Sequence, residues 1–273
     1  MSETTNLAGK VIVVTGSTRG IGRAIAEACA LAGAAVVVSS RNKLAVEETV
    51  ADLAARNLRV TGVKCDVTEA DDLERLLEEA IDTYGRVDVW VNNAGLPQGV
   101  IPLDEMTETE AAEIVRVNVL GVVNGSRIAL RYFKENGGIL VNMTGKGYDG
   151  KASAYTSVYA MTKAAVTSLT RSLAEENKSY PISVHLLSPG MVPTDFYRDM
   201  RVGKNLEARA AKVPIILDAI GVPPEETGRL VVAIAAQEPG AVTGGFYNAF
   251  SGARRWRGMM RMMRLGMSGK LRD

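Results

Sequence analysis

Val11, Ile12, Val13 and Val14 run without a polar break and lead into Thr15-Gly16-Ser17-Thr18-Arg19-Gly20-Ile21-Gly22. An unbroken β-branched run predicts a strand buried on both faces, as in a parallel sheet. Similar runs recur along the chain. They predict strands at about 11–16, 35–40, 59–65, 87–92, 138–143, 183–188 and 245–250, and helices near 20–32, 43–56, 69–84, 108–134, 156–177 and 224–237. Alternation of this kind specifies an α/β fold, with a parallel sheet covered by helices on both faces. Ligands of such sheets bind beyond the carboxyl ends of the strands, where the strand order reverses. Gly16, Asp66, Asn92, Thr144 and Pro189 follow the first, third, fourth, fifth and sixth strands. No repeat, linker or low-complexity segment divides the pattern.

Composition narrows the class. The 273 residues are 47% hydrophobic and 23% charged, which suits one well-buried domain. The polar start and the lack of a long apolar run predict a cytoplasmic protein without a secretory signal. Cys29 and Cys65 have no metal or redox spacing and read as buried thiols. His185 is the single histidine and falls in an apolar strand, which argues against a histidine-based triad or metal centre. A net charge of +1 argues against nucleic-acid binding.

The glycines after the first strand let backbone approach a diphosphate, while the following helix presents free N–H groups and a positive dipole end. Their spacing is Gly-x-x-x-Gly-x-Gly rather than the commoner Gly-x-Gly-x-x-Gly. Tyr159 and Lys163 stand four residues apart and project from one helical face. An ammonium beside the phenol is expected to lower its pKa and fit it for proton exchange.

Taken with Asn92-Asn93-Ala94-Gly95, Asn118 and Pro189-Gly190, these segments resemble the short-chain dehydrogenase/reductase superfamily over roughly residues 7–250. The resemblance implies a single-domain, Rossmann-type doubly wound fold with a seven-stranded, mainly parallel sheet. It also implies hydride transfer between a nicotinamide cofactor and a carbonyl or alcohol, by a homodimer or homotetramer. Tyr159 would donate the proton, Lys163 would bind the nicotinamide ribose, and Asn118 would help a water chain reach Lys163. The cofactor would lie along Gly16, Ser17, Thr18, Arg19, Gly20, Ile21 and Gly22, then Asp66, Val67, Asn93, Ala94 and Gly95. Its nicotinamide end would meet Tyr159, Lys163, Pro189, Gly190, Val192 and Thr194.

Charge bears on which cofactor is bound. Where an NAD-binding chain usually carries an acid for the ribose 2′-hydroxyl, this chain has Ser40 and then Arg41. A guanidinium suits a 2′-phosphate, and Arg19 approaches from the glycine loop, so NADP(H) is expected.

The superfamily's usual substrate-binding Ser falls at Gly145, with Thr144 one residue early. Thr144 is the first candidate for the missing hydroxyl and Tyr148 the second. This region, together with Leu187–Asp195, is similar to the chlorophyll(ide) b reductase branch, which reduces a ring formyl group. An aldehyde needs less polarisation than a ketone. The alternatives are a 3-oxoacyl-thioester reductase and an NADP-binding protein of little or no activity.

Two segments complete the reading. Residues 191–222, with Phe196, Tyr197, Met200, Ile215, Ile216 and Leu217, predict a lid over a hydrophobic carbonyl or alcohol substrate. The catalytic domain would end near 252. Residues 253–273 form a tail holding seven basic residues, one acid and five methionines. That tail is expected over a neighbouring subunit or the substrate mouth, or in weak contact with a membrane surface.

Overall fold

A computed structural model describes residues 5–197 and 200–267. The strands are β1 (Val11–Val14), β2 (Ala35–Ser40), β3 (Val60–Lys64), β4 (Val89–Asn92), β5 (Gly138–Met143), β6 (Ile182–Ser188) and β7 (Phe246–Asn248). They form one sheet in the order β3-β2-β1-β4-β5-β6-β7, and every neighbouring pair is parallel. The helices are α1 (Gly20–Leu31), α2 (Lys43–Ala55), α3 (Ala70–Tyr84), α4 (Glu108–Val115), α5 (Gly121–Asn136), α6 (Ser157–Glu176), α7 (Glu207–Ala210), α8 (Lys212–Ile220), α9 (Pro224–Ala235) and α10 (Gly252–Met267).

The pleat divides β1 between two cores. Val11 and Val13 pack with α3 and α5, through residues such as Leu73 and Ile128. Ile12 and Val14 pack with α1 and α9, through Ile25, Cys29 and Ile234. Both faces are therefore dry, which is why the strand reads as an unbroken apolar run. The two edge strands, β3 and β7, are the half-exposed ones.

The chain winds outward from β1 to β3, then crosses back so that β4 pairs with the other side of β1. The carboxyl ends of β1 and β4 are thus adjacent while their connections diverge. A crevice is left there for a ligand.

The helix expected over 108–134 is interrupted. Residues Arg116–Leu120 form a π-helical turn, closed by a bond from Gly121 N–H to Arg116 O. The extra residue in that turn carries Asn118 toward the loop after β4. Apolar periodicity runs through both flanking helices and gives no sign of the bulge. Helices α7, α8 and α10 were also not anticipated from the sequence, because mixed charge and methionine obscure their apolar faces.

A buried polar thread joins the central strands. Trp90 Nε1 donates to Asn92 Oδ1 at 2.9 Å, and Asn92 Nδ2 donates to Asn142 Oδ1 at 2.9 Å. Asn142 Nδ2 then donates to Thr170 Oγ1 of α6 at 3.1 Å. Gly125 of α5 leaves the space for this thread, since a Cβ there would lie 2.2 Å from Asn92 Oδ1. Asn92→Ala should strand the Trp90 donor in the core and leave the Asn142 acceptor with Ser126 alone. We expect a loss of roughly 2 kcal/mol or more in urea unfolding, and a cost under 0.5 kcal/mol would mean that water replaces the amide.

Candidate active site

The glycine loop is built by contacts that exclude side chains. Gly16 has φ +62° and Gly20 φ +55°, conformations that favour glycine. A Cβ on Gly22 would lie 2.2 Å from Gly16 O and 2.4 Å from Asn93 Nδ2, so only glycine fits. The Asn93 amide donates to Thr15 O at 2.9 Å and Gly16 O at 3.0 Å. Thr15 Oγ1 accepts from the backbone N–H groups of Asn93 and Ala94. The loops after β1 and β4 are in this way held against each other. No side chain caps the first turn of α1, whose N-cap is Arg19, so its N–H groups are available to a phosphate.

These loops wall a cleft of about 300 Å³ that also takes in Ser40, Arg41, Asp66, Lys163 and Thr194. Arg41 is half-exposed there and pairs only loosely with Glu113, at 3.7 Å. Asp66 Oδ1 accepts from Thr68 N–H, which holds the turn after β3, and Val67 packs where a Cβ on Gly121 would collide with it. Gly190 has φ +75° and Val192 is buried. Thr194 closes over Gly20, whose Cβ would meet its methyl at 3.4 Å. The cleft has the shape, the glycine cradle and the uncapped helix end that a dinucleotide requires, so the residues fit a nicotinamide cofactor.

Tyr159 is placed by a residue that the sequence did not single out. The N-cap of α6, Thr156, makes no side-chain cap bond. Gln98 Oε1, from the loop after β4, instead accepts from Tyr159 N–H at 2.9 Å. Gln98 is buried, and its Nε2 reaches Tyr155 O at 3.4 Å. Sixty-one residues separate Gln98 from Tyr159, so no local spacing marks the pair.

Lys163 lies beneath the phenol, its Nζ 5.5 Å from the ring centre and donating to Met143 O at 3.3 Å. Burial lowers its pKa from 10.5 to about 8. Burial, reinforced by Tyr197, raises the Tyr159 pKa. This direction is opposite to the lowering expected from the neighbouring ammonium, and it keeps the phenol in its protonated form. Asn118 is fully buried. Its amide exchanges bonds with Leu96, accepting from N–H at 2.7 Å and donating to O at 2.9 Å.

Position 145 faces the phenol. A Cβ on Gly145 would lie 2.7 Å from Tyr159 Oη, so the missing side chain leaves the room that the hydroxyl occupies. Thr144 lines the same space, but its Oγ1 donates to Lys163 O at 3.2 Å and meets Thr167 Oγ1 at 3.3 Å. Its hydroxyl belongs to the β5–α6 interface, which corrects the expectation that Thr144 polarises the substrate. Tyr148 stacks on Phe246 with ring centres 4.9 Å apart.

A second, larger cavity of about 730 Å³ opens from the other side of Tyr159. Its wall is mainly apolar, with Met191, Tyr197 and Met200 beside Ile216, Phe250 and Met262. Described residues between 191 and 222 line it, and this segment is tied down where Gly203 N–H donates to Val100 O and Arg201 pairs with Glu110 at 2.6 Å. Helix α10 packs on α8, with Gly258 buried between Phe250 and Ile220. Met262 of this helix lines the cavity, so part of the basic tail borders it. Its last six residues, including Lys270, Arg272 and Asp273, lie outside the described residues.

The other candidates prove structural. Burial pushes both thiols, Cys29 and Cys65, up to about 12. His185 is buried, its pKa lowered to about 4, and its Nδ1 accepts from Gly245 N–H. No group of acids, histidines and cysteines suited to a metal occurs among the described residues, and no described helix is long and apolar enough to cross a membrane.

The family model for short chain dehydrogenases matches residues 10–205. The chain belongs to the short-chain dehydrogenase/reductase family. Over 192 residues it is 38% identical to a chloroplast chlorophyll(ide) b reductase of Oryza sativa, covering 67% of this chain and 56% of that one. The chain spans about half the length of the curated chlorophyll(ide) b reductases it matches. It is 36% identical over 251 residues to an uncharacterized oxidoreductase of Methylorubrum extorquens, covering 91% of this chain and 99% of the other. Among solved structures, it is similar to a 3-ketoacyl-(acyl-carrier-protein) reductase of Brucella melitensis complexed with NADH. The TM-score is 0.77 at 25% identity, covering 89% of this chain and 97% of that one. Family membership brings a nicotinamide cofactor, which the glycine cradle fits.

Two predictions follow from the buried pair. A folded pKa of about 8 against 10.5 for the free side chain costs stability of about 3 kcal/mol at neutral pH. The cost is complete below pH 8 and fades as pH rises to 10.5. Lys163→Met should therefore raise the melting temperature at pH 7 by a few degrees, and an unchanged or lower value would mean that the ammonium is compensated. Gly145→Ala should displace the phenol and cut turnover at least ten-fold while leaving cofactor affinity within two-fold. Unchanged turnover would show that the Tyr159 hydroxyl is not confined by this contact.

Proposed function

We propose that the protein is an NADP(H)-dependent reductase that converts a large apolar carbonyl compound, an aldehyde in preference to a ketone, to its alcohol. The observation that carries this reading is the meeting of the two cavities at one residue. Tyr159 lines both the dinucleotide cleft and the apolar cavity, so a carbonyl in the cavity reaches phenol and cofactor together. A bound nicotinamide supplies the hydride to the carbonyl carbon. Tyr159 gives its proton to the carbonyl oxygen, and Lys163 stabilises the phenolate left behind. Asn118 holds the loop that shapes the cleft. With no hydroxyl at position 145, the usual polarising group of the superfamily is missing there, which favours an electrophilic aldehyde.

Self-association into a homodimer or homotetramer belongs to the same reading. The exposed Leu120, Val123 and Met161 offer apolar surface for it.

Tyr159→Phe should bind NADPH as the parent does and lose at least a hundred-fold in turnover. Wild-type rates in that variant would sink the assignment. NADPH-linked thermal stabilisation with no turnover of any aldehyde or ketone would favour a non-catalytic binder instead. The activity of the parent should also fall as pH rises through about 8, where Lys163 loses its proton, and a flat profile from pH 7 to 10 would remove that role.

The preference for NADP(H) rests on Ser40, Arg41 and Arg19, all at the same cleft. Arg41→Ala should weaken NADPH about ten-fold and NADH hardly at all, because only NADPH offers a 2′-phosphate to the guanidinium. Calorimetric titration of both cofactors checks this, and equal affinities in the parent would contradict it.

A further inference from the structure

The larger cavity is apolar over most of its wall, yet the charged residues that line it carry one sign. Lys146, Arg209 and Lys212 border it, and among the described residues no aspartate or glutamate does. Nearby basic residues elsewhere have acids to meet: Arg201 pairs with Glu110 and Arg254 with Glu226. Lys146 and Arg209 have no such partner among the described residues. The Arg209 guanidinium instead lies over the Tyr155 ring, 4.9 Å from its centre, a placement that holds it at the cavity wall. Lys146 follows Gly145, the residue that touches the Tyr159 hydroxyl, so one cation leaves the chain beside the reacting group.

We propose that this cavity selects a carbonyl substrate whose apolar body ends in an anionic group, a carboxylate or phosphate, bound by Lys146 and Arg209. The inference rests on the reading of Tyr159 as proton donor to a carbonyl in the same cavity. Two unpaired cations at an apolar wall repel each other, and an anion between them removes the repulsion while the aliphatic chain fills the rest of the space. The electrostatics agree: burial and the Arg209 charge both lower the Lys146 pKa, and an anion reverses the second effect. An arginine also offers a planar fork that fits either oxyanion.

The test uses the full-length enzyme with NADPH and three matched substrates: 8-oxooctanoate, its methyl ester and 8-oxooctyl phosphate. The KM of at least one anion should be ten-fold or more below that of the ester at low ionic strength, and the gap should narrow with added salt. Which anion leads tells carboxylate from phosphate. Lys146→Gln combined with Arg209→Gln should bring the anion's KM to that of the ester. In parallel, calorimetry with octanoate and octan-1-ol in the presence of NADP measures the same preference without turnover. Selective octanoate binding, lost in the double variant but with no aldehyde reduced, would leave this inference standing and remove the reductase reading. Equal KM values for anions and ester together with equal binding of octanoate and octanol would overturn the inference. So would a preference for anions that survives in the double variant, since the anion would then bind elsewhere.

Discussion

The close approach of two loops at the ends of β1 and β4 is the constraint on which the rest of the molecule depends. Gly22 has no room for a Cβ against Gly16 O and the Asn93 amide, while Thr15 and Asn93 tie the loops with reciprocal hydrogen bonds. These bonds satisfy backbone groups that the strands leave open, and they also set the width of the cleft. The start of α1 points into that cleft because the glycine turn brings it there, and its uncapped N–H groups are then an asset rather than a cost. A side chain at Gly22 would part the loops and disturb fold and ligand site together.

The second theme is a buried amine that the fold tolerates for chemistry. Lys163 sits under Tyr159, where its ammonium donates to the Met143 carbonyl and has little contact with water. Such a group lowers stability at neutral pH, a familiar trade between stability and activity. Burial also raises the pKa of the neighbouring phenol, which keeps it protonated. Gln98 and the backbone around Tyr155 fix the start of α6, and Tyr155 itself takes the unfavourable φ of +66°. This strained residue lies close to Tyr159, and the surrounding packing holds it in place.

On the substrate side, the structure replaces a missing hydroxyl with space. Gly145 yields to the Tyr159 oxygen, Thr144 turns its hydroxyl into the core, and the cavity beyond is walled by methionines and aromatics from residues 191–222 and from α10. Methionine conforms to irregular apolar ligands, which suits a large and loosely specified body better than a small polar one. The cations at that wall then supply the orientation that an apolar pocket alone lacks.

Local pattern was enough to establish the parallel sheet and its helical layers, and it named most of the residues that line the cleft between β1 and β4. Apolar runs report burial on both faces, and glycine spacing reports a turn that only glycine can make. Tyr159 and Lys163 were legible because helical periodicity puts them on one face. What periodicity cannot carry is anything decided by residues distant in the chain. The π-turn at Asn118, the hold of Gln98 on Tyr159, and the direction of the Thr144 hydroxyl all depend on such partners. The direction of the Tyr159 pKa shift has the same origin: spacing reveals the ammonium, but only packing reveals the burial that raises the pKa. Charge alone marked the tail as basic, whereas tertiary structure folded α10 against α8 and made Met262 part of the cavity wall, because the apolar surface of α8 and Phe250 was there to be covered.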